Sequence, residues 1–188
     1  MKPKTVIVIV GLPTSGKTSL GRELAKTTGL HFVDIDEGPA SCAPAQEENP
    51  LRSYEARLQE QTRMTVAYTV LHAAVEANLA QGFSLIICAT YSRHSNQDLL
   101  SAAIERAGGG NLKVIWCQYN DTPEEVELRI WDRLRHNLTG GVRSVQHYLE
   151  DKKRYAGIKF PHIVVMMEGG DKGLDKATNQ VLTYINEE

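Results

Sequence analysis

Hydrophobic residues come in short unbroken runs separated by longer amphipathic stretches. Residues 5–10, Thr-Val-Ile-Val-Ile-Val, carry β-branched side chains with no polar alternation, the pattern of a strand covered on both faces. His31 to Ile35, Ser84 to Ala89, Leu112 to Tyr119 and Ile163 to Met167 read as four more short strands. Between them lie stretches at helical spacing. Ser19 to Thr28 places apolar residues at Leu20, Leu24 and Ala25, and a long helix is predicted from about Ser53 to Gln81, stopped by Gly82. Asn96 to Ala107 ends at Gly108-Gly-Gly110, and Asp121-Thr-Pro-Glu-Glu opens another helix with acidic first-turn residues. Ser144 to Arg154 and Leu174 to Asn186 complete the helices, while residues 37–50 read as a loop. Strands alternating with helices predict an α/β fold, one domain over residues 1–188, with helices on both faces of the sheet.

Chemistry enters at the first strand-to-helix turn. Gly11-Leu-Pro13-Thr14-Ser15-Gly16-Lys17-Thr18 fits G-x-x-x-x-G-K-[ST] at every specified position, after a strand and before a helix. In such a P-loop the glycines let the backbone curl so that N–H groups meet phosphate oxygens at a helix N-terminus. Gly11, Pro13, Thr14, Ser15 and Gly16 would form the nucleotide cradle, continued by Lys17, Thr18 and Ser19. Lys17 would direct a point charge at the β- and γ-phosphates, and the Thr18 hydroxyl is suited to ligate magnesium. The second strand ends Phe32-Val-Asp34-Ile-Asp36, two carboxylates with period two at the edge where open α/β sheets bind ligands. One can hold a magnesium-bound water while the other orients or deprotonates an acceptor hydroxyl. No N-K-x-D guanine-reading motif occurs, which argues against a GTPase.

These residues resemble a known group. Thr18-Ser-Leu-Gly21-Arg22-Glu-Leu24-Ala25 with Phe32-x-Asp34-x-Asp36 is similar to the opening of shikimate and gluconate kinases, and more widely to small P-loop kinases of the nucleoside monophosphate kinase type. Ser84-Leu-Ile-Ile-Cys88-Ala89 resembles the gluconate kinase third strand, and Glu127-x-Arg129 with Arg133 resembles the group's arginine pattern at the lid entrance. The resemblance implies a three-layer P-loop NTPase fold with a five-stranded parallel sheet of order 2-3-1-4-5, a substrate insert at about 37–60 and a lid at about 133–146. It implies ATP and magnesium, with Asp36 as base or orienting residue and Asp34 holding magnesium through water. Arg129 would lie against adenine and Arg133 would reach the transferring phosphoryl. Guanidinium groups four apart on one helix face suit these tasks. The chain departs from shikimate kinases in having Cys88-Ala-Thr90-Tyr91 in place of a glycine triplet. It departs from gluconate kinases in having Asn49-Pro-Leu-Arg52-Ser-Tyr54 in place of an acidic, tryptophan-bearing segment.

Composition narrows the partners. The 188 residues carry a formal net charge of −2, which weighs against nucleic acid or anionic membrane as a general partner. The longest apolar run, Val6 to Val10, is far short of the roughly 20 residues of a spanning helix. Three cysteines match neither a disulfide framework nor a zinc site. A soluble, reduced, cytoplasmic protein is expected. Cys88 and Cys117 read as inert buried thiols, Trp131 as packing, and none of the histidines as a metal ligand. The expected activity is ATP- and magnesium-dependent phosphoryl transfer to a hydroxyl of a small metabolite, a sugar acid among the candidates. A 5′-hydroxyl nucleic-acid or nucleoside kinase is the alternative within the same chemistry. A nucleotide-binding regulatory module without turnover is the other, because Ser84 to Thr90 lacks a Walker B carboxylate.

Overall fold

A computed structural model describes residues 4–42, 54–119, 122–135 and 144–187. The elements are β1 (Thr5–Val10), α1 (Lys17–Thr28), β2 (His31–Asp34), α2 (Gly38–Ser41), α3 (Tyr54–Ala80), β3 (Leu85–Cys88), α4 (His94–Arg106), β4 (Asn111–Gln118), α5 (Pro123–Arg135), α6 (Val145–Arg154), β5 (His162–Met166) and α7 (Gly170–Asn186). The five strands are all parallel and lie in the order β2-β3-β1-β4-β5, as expected.

β1 runs through the centre, and its unalternated composition follows from that place. Val6, Val8 and Val10 pack under α3 and α4 against Leu71, Val75 and Leu100. Ile7 and Ile9 face the opposite layer, against Leu20 and Leu24 of α1 and Val181 of α7. Both faces of the strand are therefore dry, and no position calls for a polar side chain. α5 and α6 stand apart from these layers. Val126, Ile130 and Tyr148 make a separate cluster, with Leu12 of the P-loop packed against it. This pair is thereby seated over the carboxyl edge of the sheet.

The structure differs from expectation at several boundaries. α1 begins at Lys17, two residues before the apolar pattern starts, because Gly16 at φ 81° turns the chain directly into the helix. α7 likewise begins at Gly170. A short helix, α2, lies within the predicted loop. Trp131, expected to pack, is 59% exposed on the outer face of α5. Residues 43–53 of the expected insert and 136–143 of the expected lid lie outside the described residues. Among the described residues, no helix is long and apolar enough to cross a membrane.

A buried histidine links fold stability to pH. His72 on α3 is 5% exposed, with its Nε2 3.2 Å from the Tyr91 hydroxyl. Burial first, and the nearby Arg106 charge second, push its pKa down to about 4. The unfolded chain therefore binds more protons than the folded one between about pH 6.5 and 4. Stability from this group is present above pH 6.5, falls as pH drops through that window, and levels off below it. Urea unfolding should show a loss of about 2 kcal/mol between pH 7 and pH 4.5 that is absent in His72→Asn. Equal losses in both proteins would assign the acid sensitivity to other groups.

Candidate active site

The turn after β1 is closed by sterics. Gly11 has φ 151°, and a Cβ there would lie 2.5 Å from the Cys117 carbonyl oxygen and 2.7 Å from Ser15 Oγ. At Gly16 the chain again takes positive φ, with Met167 Cε 3.0 Å from where a Cβ would be. Thr14 between them is left-handed at φ 66°, a conformation that L side chains hold only where surrounding structure imposes it. The Ser15 N–H donates to Leu12 O at 3.2 Å to close the turn. Thr14 Oγ1 and Ser15 Oγ are buried without a hydrogen-bond partner among the described residues. Unsatisfied hydroxyls are costly in an interior, and an oxyanion is one group that would satisfy them. The curled backbone, the two hydroxyls and the N-terminus of α1 together fit a nucleotide phosphate chain.

Lys17 and Thr18 occupy the first turn of α1. The Lys17 ammonium donates to Leu12 O at 2.9 Å, within the loop it serves. The Thr18 hydroxyl donates to Asp34 Oδ2 at 2.6 Å, leaving its oxygen lone pairs open toward a cation. Asp34 ends β2 level with Cys88, is 4% exposed, and also accepts the Asp36 N–H through Oδ1 at 3.0 Å. That bond marks a correction. β2 stops at Asp34, so Asp36 lies in a turn and is not the next same-face residue of a strand. The carboxylate of Asp34 caps the turn and re-aims the chain toward α3.

On that side Asp36 meets groups the sequence did not single out. Arg63 of α3, 8% exposed, is held by Glu60 through Nε–Oε2 and Nη2–Oε1 contacts of 2.9 Å each. The Glu60 hydrogen bonds raise its pKa, with attraction from Asp36 adding to them. Tyr68, buried beside them, accepts the Tyr91 N–H at 2.9 Å. Burial raises its phenol pKa, and the Asp36 charge contributes in the same direction. Burial likewise raises the thiols, Cys88 strongly and Cys117 to about 12, so both are protonated and inert at neutral pH, as expected. No three His, Cys, Asp or Glu side chains come together as a metal site among the described residues.

A cavity of about 310 Å³ opens beside the P-loop. Leu12, Pro13 and Ser15 of the P-loop line it together with Tyr119 and Arg129. The Arg129 guanidinium lies 4.4 Å above the Tyr119 ring, a stacking partner that sequence reading did not supply. The Arg133 side chain lies outside the described residues. Trp116, Tyr148, Lys152 and Tyr155 also line it. None of these four was singled out from sequence, although Tyr148 and Lys152, four apart on α6, share one helix face.

Comparison with known proteins agrees with this architecture. A stretch of 31 residues is 58% identical to the shikimate kinase of Chlamydia pneumoniae, covering 16% of this chain and 18% of that one. The match thus spans less than a fifth of that curated relative. A presumed kinase from Chloroflexus aurantiacus j-10-fl shares the fold with a TM-score of 0.73 at 16% identity, over 97% of this chain and 98% of that chain. An unliganded sugar kinase from Janibacter sp. HTCC2649 follows with a TM-score of 0.63 at 20% identity, over 98% and 95% of the two chains. Identities this low establish the fold alone. Residues 6–143, which take in the P-loop, the buried aspartate and every strand but β5, match the AAA domain family, and to that family the chain belongs.

Proposed function

We propose that the chain is an ATP- and magnesium-dependent phosphotransferase that places the γ-phosphoryl group on a hydroxyl of a small molecule. The observation that carries this reading is the Thr18–Asp34 hydrogen bond of 2.6 Å directly beneath a cradle with two buried, unpartnered hydroxyls. The fold shared with kinases, and the short shikimate kinase match, support it. Lys17 would leave the Leu12 carbonyl to neutralise phosphate charge. Magnesium, when bound, supplies positive charge to the phosphate oxygens; Thr18 would ligate it and Asp34 would hold one of its waters. Asp36, on the α3 side, would accept the proton of the acceptor hydroxyl. Arg63 of α3 is close enough for the Asp36 charge to act on it. Arg129 would lie against the adenine, Arg133 would reach the transferring phosphoryl, and residues 133–146 would act as the lid over the site. Residues 37–60 would form the acceptor insert of a single domain.

The test is ADP formation in a screen of hydroxyl-bearing metabolites, with an oligonucleotide bearing a 5′-hydroxyl as a separate arm. Acceptor-dependent ADP supports the proposal. Nucleotide binding with no acceptor-dependent ADP leaves a nucleotide-binding module without turnover.

The metal site yields a sharper expectation. Cys88 stands at the end of β3 where a carboxylate would help hold the ion. One hydroxyl and one carboxylate already engaged with it are too few to strip waters from magnesium, which dehydrates reluctantly. Calorimetry should therefore detect negligible magnesium binding to the protein alone and clear binding once ATP or ADP is present. Tight binding to the protein alone that survives both Thr18→Ala and Asp34→Asn would place the ion elsewhere.

A further inference from the structure

Leu12 belongs to two parts of the molecule at once. Its main chain is part of the phosphate cradle, where the carbonyl accepts the Lys17 ammonium at 2.9 Å and the Ser15 N–H at 3.2 Å. Its side chain packs against the buried Val126 and Ile130 of α5 and Tyr148 of α6. Val145, the other side chain packed on those three, also comes from α6. Among the described residues, Leu12 is therefore the one member of this cluster that comes from outside the α5–α6 pair. Arg129 lies on the face of α5 that rests there, because positions 126, 129 and 130 stand at i, i+3 and i+4. The far end of the Arg129 side chain is stacked 4.4 Å above Tyr119. Tyr119 packs with the α1 and α7 core and not in the α5–α6 cluster, so this contact does not seat the helix on the loop.

We propose that Leu12 is a positioning residue: it sets the α5–α6 pair on the P-loop, so that Arg129 is aligned with a nucleotide whose phosphates the cradle holds. This rests on the phosphotransferase reading, which places Arg129 against the adenine, and deepens it. The turn of helix that packs on Leu12 is the turn that carries the guanidinium, so the apolar contact fixes the distance between arginine and cradle. A shift of about 1 Å in a group so placed is enough to forfeit much of its interaction. The leucine side chain has neither a charge nor a hydrogen-bonding group to offer a nucleotide, and its effect passes through α5.

The experiment measures ADP and pyrophosphate, each with magnesium, by calorimetry. Pyrophosphate occupies the cradle but has no base for Arg129 to meet. Leu12→Ala should weaken ADP about tenfold and leave pyrophosphate within about twofold. Ile130→Ala removes the other side of the same contact from outside the loop and the cavity lining, and should reproduce that difference. Leu12→Met, which keeps the volume, should restore ADP binding. A double-mutant cycle separates positioning from plain stability. Arg129→Met should weaken ADP about tenfold by itself, and less than about twofold on top of Leu12→Ala, because the guanidinium is already displaced there. Where Leu12→Ala does not fold, the same cycle is run on Ile130→Ala. Additive losses overturn the proposal, since Leu12, which lines the cavity, would then meet the base directly. Equal weakening of ADP and pyrophosphate overturns it because Leu12 would then shape the cradle. Unchanged ADP affinity in Ile130→Ala overturns it as well. Unchanged ADP affinity in Arg129→Met withdraws the adenine placement and the proposal with it. A wild-type protein that binds neither ADP nor pyrophosphate defeats the phosphotransferase reading, whereas binding of both with additive losses defeats only the role of Leu12.

Discussion

Lys17→Ala should lower phosphoryl transfer about a thousandfold or more while leaving the fold intact. The expectation follows from what the ammonium does in each state. Without nucleotide it donates to one backbone carbonyl, Leu12 O, at 2.9 Å. Its removal from the ligand-free protein therefore costs about 1 kcal/mol or less. In the proposed reaction the same charge faces phosphate oxygens whose negative charge redistributes as the bond to the leaving group breaks. A preorganised donor at such a point contributes far more to the transition state than to the folded ground state. Turnover, ATP affinity by calorimetry and thermal unfolding on the same variant separate the two contributions. Unchanged turnover would sink the phosphotransferase reading, and a collapsed unfolding transition would assign Lys17 to structure instead.

The paired aspartates should divide cleanly. Asp36→Asn is expected to keep nucleotide affinity within about twofold and to lose transfer by roughly a hundredfold to ten-thousandfold, the range of a lost general base. Its side chain is exposed and lies beyond the end of β2. Asp34→Asn should behave differently. Asp34 is buried and accepts both the Thr18 hydroxyl and the Asp36 N–H. An amide offers one acceptor oxygen where the carboxylate offers two, so one of those donors loses its partner. The cost is about 1–3 kcal/mol of stability together with weakened magnesium-dependent nucleotide binding. If Asp34→Asn binds nucleotide normally but is inactive, and Asp36→Asn transfers phosphate, the two roles are exchanged.

Strand positions and the phosphate cradle were legible along the chain because each depends on local pattern. The run Val6–Val10 has no polar position because both sides of β1 are covered there. The cradle was legible because its shape is set by glycine conformations at fixed spacing. Gly11 has a carbonyl and a hydroxyl where a Cβ would go, so no other residue closes that turn without a shift. The order 2-3-1-4-5 came from resemblance, and the strand pairing agrees with it. Sequence likewise brought Thr18 and Asp34 into view, and their 2.6 Å contact puts both in one site.

Tertiary structure alone decided where side chains meet across elements. A period-two argument presumes that the strand continues, and β2 ends one residue after Val33 because Asp34 folds back to cap the Asp36 N–H. Trp131 and Arg129 lie two residues apart on α5, yet one is 59% exposed and the other is stacked on Tyr119. Helical spacing tells which residues share a face, but not which face turns inward, and that was set when Val126, Ile130 and Tyr148 packed with Leu12. The same packing carried Lys152 and Tyr155 to the cavity beside Trp116, a residue 39 positions away from Tyr155 in a different element. Contacts of that range cost chain entropy that no local propensity encodes, so they exist only once the sheet and its covering helices have formed.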